Sequence, residues 1–83
     1  MDSKEEVIAV VDEVLSLKGR ARDFARDTPL LGAIPELDSM AVVALITMLE
    51  ERFGFTVEDD EIDGSVFATL GSLLDFVEDK LAA

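Results

Sequence analysis

Apolar residues recur along this chain in three bursts at helical spacing, separated by stretches that break the rhythm. In the first burst Val7, Ile8, Val11, Val14 and Leu15 share one stripe. They predict a helix from about Lys4 to Leu17, opened by a Ser3–Glu6 capping box and stopped by Gly19. The second burst predicts a helix capped by Asp38 or Ser39, running to about Phe53 and ended by Gly54. Val42, Leu45, Ile46, Leu49 and Phe53 mark its inner face, while Met40, Val43 and Thr47 fall on another. The third stripe is Leu70, Leu73, Leu74, Val77 and Leu81, with Thr69 placed to cap it.

Between the first two helices, Lys18 to Asp38 forms a long connection. Residues 21–25 can make a turn of helix, but Pro29, Gly32 and Pro35 rule out a continuous one. Phe24, Leu30, Leu31, Ile34 and Leu37 are the residues expected to pin this connection to the core. After Gly54, Phe55 and Val57 lead into one short acidic helical turn at Glu58–Ile62, which Gly64 breaks. No polar–apolar alternation is long enough for a sheet. The expected fold is all-α: a small antiparallel four-helix bundle, three main helices plus one short helix, with a long first loop, forming a single domain over residues 1–83.

Composition narrows what such a bundle can do. At 83 residues the chain makes one small core and has no room for a deep catalytic cavity. It contains no Cys and no His, which removes disulfides, thiolate metal sites and the usual general base. No apolar run approaches the ~20 residues that span a bilayer, so membrane insertion is not expected. The acidic start, Met1 to Glu6, does not read as a targeting peptide, and a cytoplasmic location is expected. Nineteen acids against seven bases give a net charge of −12. That charge repels nucleic acid and attracts basic protein surfaces. Lys18, Arg20, Arg22 and Arg26 hold four of the seven bases, and beyond Glu36 only Arg52 and Lys80 are basic.

Two chemical readings fail on their own terms. Asp59-x-Glu61-x-Asp63-Gly64 imitates the start of a calcium loop, but the ninth position is Phe67 and the twelfth is Leu70 where a bidentate Glu is needed. No metal site is expected. Serine hydrolysis needs a base beside the nucleophile, and Lys4, Lys18 and Lys80 all lie far from Ser39 in sequence. The chain is therefore not expected to be an enzyme.

Ser39 stands out because it meets an apolar helix at its start, in the run Glu36-Leu37-Asp38-Ser39-Met40. Asp38-Ser39-Met40, followed by Leu49-Glu50-Glu51-Arg52-Phe53-Gly54, resembles the acyl carrier protein family, whose members usually read Asp-Ser-Leu and then Leu-Glu-Glu-x-Phe. Asp27-x-x-Leu30 and Phe67-x-Thr69 fit the same pattern, and the similarity covers nearly the whole chain. The resemblance implies that Ser39 carries a 4′-phosphopantetheine arm, installed from coenzyme A by a phosphopantetheinyl transferase that recognises Asp38. Acyl groups would then travel as thioesters on the arm's thiol, which belongs to the cofactor and suits a protein without Cys. A helix N-terminus also favours a phosphodiester.

The partners implied are the transferase, an acyl-activating ligase and acyl-transfer enzymes with basic or apolar docking patches. Met40, Val43, Thr47, Glu50 and Glu51 are the candidate docking residues on a monomeric carrier. Relatives in fatty acid biosynthesis usually place acids one and two turns beyond the serine, where this chain has Ala41 and Ala44. The expectation is a specialised carrier that relies more on apolar contact. The run from Pro29 to Val43 is similar to carriers encoded with exosortase-type surface-polysaccharide and protein-sorting systems, which suggests a lipid- or polysaccharide-related pathway. The competing readings are a non-covalent helical adaptor module and an aminoacyl or peptidyl carrier.

Overall fold

The computed structural model describes residues 3–82. Three α-helices carry the architecture: α1 (Ser3–Leu15), α2 (Ser39–Phe53) and α3 (Leu70–Ala82). Three short 3-10 turns punctuate the connections, at Arg20–Asp23, Asp59–Glu61 and Gly64–Phe67. The expected short acidic turn is the second of these, and Asp63 caps the third by accepting from the Ser65 amide at 2.9 Å. Among the described residues there is no strand, only an isolated antiparallel bridge between Pro29 and Thr69. Arg52, at the end of α2, pairs with Glu6 of α1 at 2.7 Å and lies 3.8 Å from Glu13 of the same helix, which ties the two helices together.

The core is apolar throughout. Val7, Val10, Val11 and Leu15 of α1 meet Leu45, Ile46 and Leu49 of α2 and Leu70, Leu73, Leu74 and Val77 of α3. Val10 was absent from the expected stripe, while Ile8 and Val14 are only half-buried at its margins. Val42 and Phe53 likewise pack at the edge of the core and not within it. Leu81 was expected inside, but it lies exposed in the last turn of α3.

Both ends of α1 depart from expectation. Ser3 is already the first helical residue, so it does not serve as the flanking cap, and Glu6 is engaged with Arg52. The helix stops at Leu15, two residues early. Ser16 adopts a left-handed φ of 54°, its amide bonds to the Glu13 carbonyl, and the Leu17 amide bonds to the Asp12 carbonyl at 3.0 Å. That pair of bonds is a Schellman ending with serine where glycine is usual, and it turns Leu17 into the core. The Asp12 carboxylate then accepts from the Gly19 and Ala21 amides and holds the turn that follows. At the end of α2, Gly54 does what was expected: it takes a φ of 76° and donates its amide to the Glu50 carbonyl at 2.8 Å.

The long connection is stapled to the start of α3. Leu30 donates to the Ala68 carbonyl, Leu31 to Phe67, Leu70 to Thr28 and Gly71 to Arg26, at 2.7–3.0 Å. Pro29 faces Thr69 as a pair whose members donate no amide across the pairing, which is where an edge tolerates proline. Leu30 is fully buried and Leu37 nearly so, with Phe24 and Ile34 packed against the core. Leu31, also expected to pin the connection, points outward. A turn opens at Leu30, whose carbonyl accepts from the Ala33 and Ile34 amides, and Leu31 lies on the outside of that turn. Thr69 caps α3 reciprocally with Ser72: each side-chain oxygen accepts the other's amide at 3.1 Å.

Candidate functional site

Ser39 is the first residue of α2 and is exposed. Its position follows from three local arrangements. Leu37, 5 % exposed, anchors the connection in the core, with its amide on the Ile34 carbonyl at 3.0 Å. Asp38 then leaves the core in an extended conformation, φ −107° and ψ −174°. Its carboxylate Oδ1 accepts from the Ala41 amide at 2.8 Å, and its carbonyl accepts from the Val42 amide at 3.0 Å. The cap is therefore Asp38, which resolves the alternative between Asp38 and Ser39.

This leaves Ser39 free for other work. No hydrogen bond among the described residues engages its hydroxyl. The amides of Ser39 and Met40 precede the first helical acceptor, so they stay available beside it. A negatively charged group esterified to this oxygen would meet two unpaired amides and the positive end of a 15-residue helix. The chain has no His to activate this hydroxyl, and the adjacent carboxylate, Asp38, is engaged through Oδ1 as the helix cap. The exposed serine, the free amides and the capped helix thus fit a phosphodiester-linked prosthetic group.

The surface beside Ser39 is apolar. Met40 is 80 % exposed and Val43 63 % exposed, with Ala44 and Thr47 exposed on the same side of α2. Thr47 Oγ1 donates back to the Val43 carbonyl at 3.0 Å, which leaves its methyl group to the surface. The two alanines noted in the sequence separate here: Ala44 is exposed, but Ala41 packs against the core. The two expected acidic contacts also separate. Glu51 is exposed, whereas Glu50 is half-buried and accepts from the Val57 amide at 2.8 Å, so it holds the loop after α2. That role escaped the sequence reading, because the need of a distant loop amide leaves no mark on helical periodicity.

The acidic turn is also committed internally. The Glu61 carboxylate accepts from the Glu58 amide at 2.8 Å and from Lys80 Nζ at 2.9 Å. The amide first, and then the ammonium, hold its pKa below the usual value. With Asp63 engaged as a cap, the run that imitates a calcium loop serves to fasten the α2–α3 connection.

Comparison with known proteins agrees with this geometry. The sequence family described as the phosphopantetheine attachment site matches residues 5–77. The chain is 33 % identical to the acyl carrier protein AsbD of Bacillus anthracis over 92 % of its own length and 81 % of that protein's. It is also 33 % identical to an acyl carrier protein of Helicobacter pylori over 95 % of both chains. The solution NMR structure of a holo acyl carrier protein from Nitrosomonas europaea superimposes over the whole of both chains, with a TM-score of 0.91 and 52 % sequence identity.

Proposed function

The chain belongs to the acyl carrier protein family, and from that premise we propose that Ser39 is the residue that bears its 4′-phosphopantetheine arm. The arm supplies the thiol on which acyl groups are held as thioesters. The chain itself supplies the rest. Asp38 and Leu37 present the Ser39 oxygen clear of the bundle, and the Ser39 and Met40 amides stabilise negative charge on it. Asp38 commits one carboxylate oxygen to the helix cap. The other is open to a phosphopantetheinyl transferase and to the divalent metal in that enzyme's site. The observation that carries this reading is an exposed, unpaired serine at the first position of a capped helix.

The test is direct. Full-length protein incubated with coenzyme A and a broad-specificity phosphopantetheinyl transferase should gain the mass of one arm, mapped to the peptide containing Ser39. Ser39→Ala should stay folded and gain nothing. Wild type that remains bare, or an arm on any other residue, would overturn the assignment. A non-covalent adaptor does not account for membership of a family defined by its attachment site, and a bare wild-type chain is the result that would revive it.

The pathway belongs to the same proposal. We place this carrier in a specialised lipid- or polysaccharide-related route in the cytoplasm, served by an acyl-activating ligase and acyl-transfer enzymes. Two features support this: the exposed Ala44 on the surface next to Ser39, and the resemblance of residues 29–43 to carriers of exosortase-type systems. Met40, Val43 and Thr47 form the apolar centre of the docking surface, with Glu51 as its acidic edge. Glu50 contributes by fixing the loop behind it.

A further inference from the structure

We infer that Met40 is a reversible oxidation site whose sulfoxide weakens docking at Ser39. Among the described residues sulfur occurs only at Met40 and Met48, and the chain has no Cys to intercept oxidants. The two methionines differ sharply in environment. Met48 is half-buried and packed against the core, whereas Met40 is 80 % exposed, more than any other large apolar side chain described. It is also the residue directly after Ser39, beside the exposed Val43 and Thr47. An enzyme that brings its active site to the Ser39 oxygen must therefore cover or skirt the Met40 thioether.

The chemistry needs only a hydroperoxide. The Met40 sulfur attacks the peroxide, an S–O bond forms as the O–O bond breaks, and hydrogen peroxide is reduced to water as the thioether becomes a sulfoxide. A flexible apolar side chain becomes a polar one, and an apolar contact surface then carries a strong acceptor with no assigned donor. Because Met40 projects from the helix into solvent, oxidation leaves the core and the Asp38 cap untouched. The effect falls on association and not on folding, and a thiol-dependent methionine sulfoxide reductase reverses it.

This inference rests on Ser39 being the attachment residue, and the experiment separates the two. Full-length protein lacking the arm is treated with limited hydrogen peroxide, and oxidation at Met1, Met40 and Met48 is mapped by mass spectrometry. The rate of arm transfer from coenzyme A by a broad-specificity transferase is then measured. Met40 should oxidise well ahead of Met48. The Met40 sulfoxide form should accept the arm about fivefold more slowly with an unchanged thermal midpoint, since lost apolar contact at an interface appears in binding rates. Reductase treatment should restore the rate, and Met40→Leu should keep its rate through the same peroxide exposure. Oxidation of Met48 as fast as Met40, an unchanged transfer rate for the sulfoxide, or equal slowing of Met40→Leu would each overturn the inference. A reduced chain that takes no arm at Ser39 would sink the attachment assignment and this inference with it. Normal transfer before and after oxidation would sink the sulfoxide inference alone.

Discussion

Replacing Gly71 by alanine should destabilise this protein, against the rule for helices. Alanine in a helix interior is favoured over glycine by about 1 kcal/mol, and Gly71 lies in the first turn of α3. Here, however, an added Cβ would sit 2.8 Å from the Arg26 carbonyl oxygen and 3.2 Å from Arg26 Cβ. The oxygen in question is the acceptor for the Gly71 amide, in a bond of only 2.7 Å. It cannot withdraw without loosening that bond and the neighbouring one from Leu70 to Thr28. Overpacking a site of this kind costs ~1–3 kcal/mol. The helix preference returns about half of its value in a first turn, so a net loss of ~0.5–2.5 kcal/mol remains. For a domain of this size that lowers the thermal midpoint by roughly 2–20 °C. The chain has no Trp or Tyr, so far-UV circular dichroism during heating or urea titration is the suitable probe. Gly64→Ala is the control: its Cβ would meet only Leu31 Cδ2 at 3.7 Å, an ordinary contact, and its midpoint should hold or rise slightly. A Gly71→Ala midpoint at or above wild type would refute the reasoning, because the connection would then be able to leave α3 at no cost.

Other perturbations separate roles that coincide in one residue. Asp38→Ala should lose ~1 kcal/mol through the missing cap, whereas Asp38→Asn should keep the cap and the thermal midpoint yet slow arm transfer on the order of tenfold through loss of the carboxylate; equal transfer by wild type and Asp38→Asn would remove the recognition role. Glu61→Gln should be less stable than wild type near neutral pH. Since the Glu61 pKa is depressed in the folded state, its contribution is present above the ordinary value of 4.5 and is lost as pH falls through the depressed folded value. The gap between the two proteins in denaturant titrations should therefore close on acidification, and a gap independent of pH would contradict the Glu58–Lys80 account. Ala44→Glu should raise the rate at which a housekeeping malonyl transferase of fatty-acid synthesis uses this carrier, with the gain erased by salt. A wild-type rate already equal to that of the standard carrier would argue against a specialised partner set.

What the sequence made legible was local. The α2 boundaries were readable because Asp38 and Gly54 carry their own capping chemistry, and the same locality made Ser39 conspicuous at the helix start. The α1 ending was misjudged because a serine, Ser16, occupies the left-handed position where glycine is the usual signal, so the reading ran on to Gly19. The outward position of Leu31 and the loop contact of Glu50 were not readable for a shared reason. Each depends on backbone outside a helical stripe, Leu31 on the turn that opens at Leu30 and Glu50 on the Val57 amide of the loop after α2, and apolar periodicity carries no trace of either. The stapling of the connection to α3 was invisible for the same cause, since it consists of backbone bonds available to any sequence that can bring Gly71 close.

These non-local bonds explain why a chain with so little catalytic equipment needs so long a connection. The proposed attachment oxygen must stand clear of the bundle, yet an enzyme that modifies it requires a reproducible orientation. Nothing that touches the Ser39 hydroxyl supplies that orientation. It comes from behind: the staple holds Thr28–Leu31 against α3, Leu30 and Leu37 sink into the core on either side of the turn, and Asp38 then aims the first residue of α2 outward. Exposure and order are thereby assigned to different residues. The exposed set of Ser39, Met40, Val43 and Thr47 is free to change with its partners, because stability rests on the buried set. Substitutions in the first group should alter transfer rates at constant thermal midpoint, and substitutions in the second should lower the midpoint before they alter transfer. A Val43 variant that unfolded the protein, or a Leu37→Ala variant that left its stability intact, would show that the two tasks are not divided in this way.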